Sequence, residues 1–119
     1  MSRIAKLVVW GALLLATAPA AAQFLGRWET NVTLTQADLG LIRTTLASKI
    51  HGQPAGTSAS WRDPASGNSG TITLLNVSER QGQRCEAIEY QNHPRDTWRP
   101  SDRFVLTSCR QPDGSWKLS

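Results

Sequence analysis

Two cysteines, Cys85 and Cys109, stand far apart in a chain of 119 residues, and no third thiol competes with them. An even cysteine count in an exported chain predicts one disulfide. Export is read from the first 22 residues. Arg3 and Lys6 open the chain, residues 7–16 (LVVWGALLLA) form an unbroken apolar run, and Pro19 precedes the small residues Ala20, Ala21 and Ala22. That order is a secretory signal with cleavage after Ala22. A membrane-spanning helix is the competing assignment, but residues 7–22 give about 16 positions where a bilayer needs roughly 20. Arg3 and Lys6 leave with the leader, so the formal charge falls from +4 to +2. Little then favours a nucleic-acid partner. No cysteine stands at the cleavage site, so no direct lipid anchor is expected. A soluble exported protein is expected unless a partner holds it at a membrane.

The same two cysteines suggest a strand register. If they face each other across an antiparallel pair, Ile88 lies opposite Leu106 and Tyr90 opposite Phe104. Side-chain alternation then puts those four on one face. Gln111 opposite Ser115, across Pro112-Asp113-Gly114, adds Trp116 and Leu118 to that face. Ahead of these strands, Thr35 and Asp38 have the spacing of a reciprocal helix cap. Leu39, Ile42, Leu46 and Ile50 follow at intervals of three and four, one stripe of an amphipathic helix. Gly52 and Pro54 stop it. Strands are expected over 58–62, 71–79, 84–91, 103–111 and 115–118, joined by short turns and the longer 92–102 loop. In 71–79 the alternation changes phase at Leu74-Leu75; a bulge would repair it, and so would a curled sheet.

The expected fold is therefore α+β. One N-terminal amphipathic helix covers the apolar face of a four- to five-stranded antiparallel meander tied by one disulfide. At this length one domain is expected. Residues 1–22 are the signal, 23–34 a lead-in with Phe24, Leu25 and Trp28, and 35–119 the domain.

Chemistry-bearing patterns are sparse. His51 and His93 lie far apart and in no ligand-like spacing with acids or thiols, so no metal site is expected. Ser66-Gly67-Asn68-Ser69-Gly70 lacks the spacing of a nucleophile elbow, and the glycines precede a strand rather than a phosphate-binding helix. Glu86 and Glu89 fall on opposite faces of one strand, and both read as solvated surface acids. No catalytic residue and no cofactor are expected. The unusual stretch is 95–103, where Arg95, Trp98, Arg99 and Arg103 cluster. Arg and Trp dominate binding hot spots, and loops carry function. This segment is the candidate binding loop for a protein or an envelope component. The competing possibility is that Trp98 folds back over the sheet edge, with Asp96 and Asp102 offsetting the charge.

From Leu34 onward the chain resembles the bacterial outer-membrane surface-antigen family of the 17 kDa type. The resemblance is carried by residues 34–39 (LTQADL), by Trp61-Arg62-Asp63-Pro64-Ala65-Ser66-Gly67-Asn68-Ser69-Gly70-Thr71-Ile72-Thr73, and by Cys85. It closes with Cys109-Arg110 and Asp113-Gly114-Ser115-Trp116. It implies an envelope protein without known catalysis whose shared residues are structural. Two family features, a lipobox cysteine and a glycine-zipper segment, are not seen ahead of the domain, and Asp63 stands where Asn is common. The expected function is a non-enzymatic envelope module, periplasmic or outer-membrane associated, acting through protein or envelope contacts. The alternative is a periplasmic or secreted inhibitor whose 95–103 loop binds another protein.

Overall fold

The computed structural model describes residues 32–119. The Thr35 hydroxyl accepts from the Asp38 N–H at 3.0 Å, and the Asp38 carboxylate accepts from the Thr35 N–H at 2.9 Å. Two orphan donors of the first turn are thus satisfied reciprocally. Helix α1 runs from Gln36 to Thr45 and passes straight into a π-helical turn, Leu46–Ile50. The hydroxyls of Thr44, Thr45 and Ser48 each donate to the carbonyl four residues back, around that transition. Such back-bonding competes with the regular ladder and bends helices. Gly52, at φ +82°, ends the segment.

Five strands follow in a meander: β1 Ser58–Arg62, β2 Ser69–Arg80, β3 Gln83–His93, β4 Asp102–Arg110 and β5 Trp116–Leu118. Their order in the sheet is their order in the chain, and every neighbour pair is antiparallel. The expected register holds across β3 and β4: Cys85 pairs with Cys109, Ile88 with Leu106 and Tyr90 with Phe104. It also holds into β5, where Gln111 N–H donates to the Ser115 carbonyl at 2.7 Å and Ser108 pairs with Leu118. The phase change in β2 is a bulge. Leu74 pairs with Ile88 and Asn76 with Ala87, which leaves Leu75 as the extra, exposed residue.

Strand parity then builds the core. Ile72, Leu74, Ile88 and Tyr90 project from one face and meet Leu39, Ile42 and Ile50, all buried, with Trp61 at the β1 end. Each fully buried aliphatic side chain contributes about 1.5–3 kcal/mol. Trp61 can pack closely over its cross-strand partner because that partner is Gly70. A Cβ there would overlap the indole Nε1 and come within 2.8 Å of the Gln91 carbonyl oxygen. The Cys85–Cys109 disulfide sits on the opposite face and clamps β3 to β4 behind the core. Of the lead-in, Val32 is buried and Leu34 packs against the core, whereas the proposed leader, Phe24, Leu25 and Trp28 lie outside the described residues. No helix among the described residues is long and apolar enough to cross a membrane.

Candidate functional site

The connection from β3 to β4 is pinned at both ends. His93 Nδ1 and Ser101 Oγ lie 2.8 Å apart and close its base. Arg95 N–H donates to Asn68 Oδ1 at 3.2 Å, and the Asn68 amide in turn donates to Asp38 Oδ2 and the Thr33 carbonyl. The Arg95 stem lies against Gly67, where a Cβ would come within 2.6 Å of Arg95 Cγ. On the β4 side, Arg103 Nε donates to Glu89 Oε2 at 3.0 Å. Within the loop, Arg99 N–H donates to the Asp96 carbonyl at 3.0 Å and forms a turn.

That turn lifts Trp98 into solvent. The side chain is 77% exposed, and the Arg99 guanidinium lies 5.0 Å from its ring centroid. Trp98 therefore does not fold back over the sheet edge. The four sequence-selected residues do not form one cluster of contacts: Arg95 packs on the 63–68 turn and Arg103 on the open sheet face. Trp98 and Arg99 stand together at the apex as an aromatic surface with an adjacent cation. The anchors limit the ordering cost of binding, because the loop is held before a partner arrives.

Beneath the loop lies a buried polar network. The Asp38 carboxylate accepts from Ser66 Oγ at 2.7 Å and Asn68 Nδ2 at 2.8 Å, besides capping α1. Burial pushes its pKa up. Asn68, the Thr35 N–H, Ser66 and the neighbouring Asp63 outweigh that and hold it below the ordinary aspartate value. Asp102, also buried, accepts from the Val32 N–H at 2.9 Å and ties Val32 to the start of β4.

Sequence reasoning missed a second site. Glu86 is not a solvated surface acid; it is fully buried. Its carboxylate meets His51 Nδ1 at 2.6 Å, the Gly52 N–H at 2.9 Å and Arg84 Nε at 2.9 Å. Burial raises its pKa, but His51, the Gly52 amide and Arg84 together bring it below the ordinary glutamate value. The His51 ring stacks on Trp116 with centroids 4.0 Å apart and planes 6° from parallel. A signal was present: Glu86 shares strand parity with Ile88 and Tyr90 and so had to face the core side. Among the described residues, no group of three or more His, Cys, Asp or Glu side chains could hold a metal ion.

These features define a small, disulfide-tied α+β domain that presents an anchored Arg/Trp loop. The profile of the family described as 17 kDa outer membrane surface antigen matches residues 49–117. The chain belongs to that family. It is 31% identical over 86 residues to the "17 kDa surface antigen" of Rickettsia bellii (strain RML369-C), covering 71% of this chain and 52% of the relative. The protein of the same name from Rickettsia felis (strain ATCC VR-1525 / URRWXCal2) is 30% identical over the same shares. The chain thus spans about half the length of the curated relatives it matches. No solved structure matches it.

Proposed function

We propose that this chain is an exported cell-envelope protein that works through contact rather than catalysis. In this reading residues 1–22 are the removed signal, 35–119 are the working unit, and the place of action is the periplasm or the outer membrane. The names of its relatives support the envelope setting. One observation carries the contact surface: a Trp98 side chain 77% exposed on a loop pinned by His93–Ser101 and Arg95–Asn68. Large exposed aromatics beside arginine are the residues that anchor interfaces. The partner is an envelope protein or another envelope component.

The test is retention from envelope extracts of the source cells on immobilised wild-type, Trp98→Ala and Trp98→Phe chains. The expected result is a component retained by wild type and Trp98→Phe, reduced at least about tenfold on Trp98→Ala, with unchanged thermal unfolding of all three. Equal retention by the alanine variant would remove the loop from the account. A single soluble hydrolase as sole partner would shift the assignment to the inhibitor alternative.

A further inference from the structure

Tyr90 and Asn92 are buried on the core side of β3, so Gln91 and His93 project from the opposite face. β1 and β2 continue that row, because Arg62 pairs with Ser69 and Ser69 with His93. Their neighbours Trp61 and Gly70, both buried, take the core side. The next row on the same face is Ser60, Thr71, Gln91 and Arg103. Beyond it, Ser58 Oγ and Thr73 Oγ1 lie 3.2 Å apart.

Ser69 is thus a short hydroxyl residue between two longer nitrogen-bearing side chains. Two strand spacings separate the backbones of Arg62 and His93, about 10 Å, which a guanidinium and an imidazole can close over a small anion. The His93 ring is held in place, with Nδ1 2.8 Å from Ser101 Oγ. An imidazole that takes the Ser101 hydroxyl proton at Nδ1 carries its own hydrogen on Nε2. Arg62 is exposed, and among the described residues no acid pairs with it or with Arg95. Asp63, its chain neighbour, is buried and accepts from the Ala65 N–H at 2.9 Å. Glu89, the acid on this stretch of the face, is held by Arg103.

We propose that Arg62, Ser69 and His93 form a binding site for a phosphoryl group on the sheet face opposite α1. Arg62 supplies the forked N–H donors that suit phosphate oxygens, while the Ser69 hydroxyl and His93 Nε2 donate from the middle and far strands. Arg95, whose stem lies against Gly67, adds positive charge at the same end of the sheet. A lipid headgroup and free phosphate present the same oxygens to this row. The proposal goes beyond the loop reading, because it uses the sheet face and not Trp98.

The first probe is inorganic phosphate, exchanged for chloride at constant ionic strength, with NMR of the disulfide-bonded exported chain. Saturable shifts are expected at the His93 ring, the Arg62 Nε–H and the Ser69 amide, and none at Arg43 or Lys49. Arg62→Gln should fold like wild type and weaken phosphate binding at least about tenfold, the loss of one charge-assisted contact. Arg43→Gln, an exposed cation on the helix, should change nothing. Should Arg62→Gln fail to fold, Ser69→Asp decides: it puts a carboxylate where the anion would sit and must abolish the shifts. The second probe is co-sedimentation with phosphatidylcholine vesicles, with and without phosphatidic acid. Binding only to the phosphatidic acid vesicles, reversed by inorganic phosphate, supports the site with a lipid headgroup as its source. Saturable shifts without co-sedimentation support it with a soluble phosphoryl ligand. No saturable shift, equal shifts at Arg43 and Lys49, or undiminished binding by Arg62→Gln would each overturn it. Trp98→Ala should bind phosphate like wild type, so the loop and the sheet-face site fail separately.

Discussion

His51 Nδ1 and Glu86 Oε1 lie 2.6 Å apart at the point where the π-helical turn, β3 and β5 meet. An ionised carboxylate only accepts, so Nδ1 carries the proton in this contact. Trp116 stacks on the same imidazole, and the Arg84 guanidinium adds a cation to the carboxylate. The pair therefore ties the end of the helical segment to the short edge strand. Three residues pairing with β4 would hold β5 weakly alone; the stacked ring supplies a side-chain anchor.

Replacing Glu86 should be costly. Glu86→Gln leaves Arg84 without its counter-charge and His51 with a weaker acceptor, and breaking one partner of a buried pair typically costs about 3–5 kcal/mol. Urea unfolding should show a loss toward the lower end of that range, since Arg84 can still reach water. Trp116 fluorescence should report loosening of β5 before global unfolding.

Stability should fall in acid. Glu86 and Asp38 are both held below their ordinary carboxylate values in the folded chain. Between the folded and unfolded values the unfolded chain binds more protons, so stability rises with pH there. The contribution is complete above about pH 5 and is lost as pH drops through the carboxylate range. Urea midpoints between pH 7 and pH 3 should decline, and the decline should be shallower in Glu86→Gln.

Gly70→Ala should destabilise by about 1–3 kcal/mol, the usual cost of overpacking. The added methyl meets the Trp61 indole and the Gln91 carbonyl, and backbone on that side cannot give way. Thermal unfolding of the variant against Gly82→Ser is the comparison. Gly82 has open space around it, although its φ of +76° adds a backbone penalty of its own.

Removing the disulfide with Cys85→Ser and Cys109→Ser together should cost about 3 kcal/mol, from the freedom returned to the intervening loop in the unfolded chain. The register should survive, because Ile88–Leu106 and Tyr90–Phe104 still favour it. Chemical denaturation measures the first statement, and cross-strand contacts by NMR the second.

Most of the fold is legible in the sequence because three constraints agree on one parity. The two thiols, the Ile88/Tyr90 alternation and the Pro112-Asp113-Gly114 turn all give the same faces, and Thr35 with Asp38 marks the helix start. What is not legible arises where a residue's type and its position disagree. Glu86 is charged, and surface is the usual place for charge, but its partners lie 35 residues away at His51 and in Gly52. The π-helical turn leaves no mark, since Leu46 and Ile50 keep ordinary helical spacing. The bulge at Leu75 shows in the sequence only as a phase change, and packing decides between bulge and curl. For the loop, sequence selects Arg95, Trp98, Arg99 and Arg103 but cannot say which face solvent. That depends on the distant anchor Asn68.

The most direct measurement is site-specific photo-crosslinking in intact source cells, with a benzophenone side chain at position 98 or at Ser58 on the far edge of the sheet. The account predicts a discrete adduct with one envelope component from position 98 and none from position 58. No adduct from 98, or the same products from both positions, would contradict it.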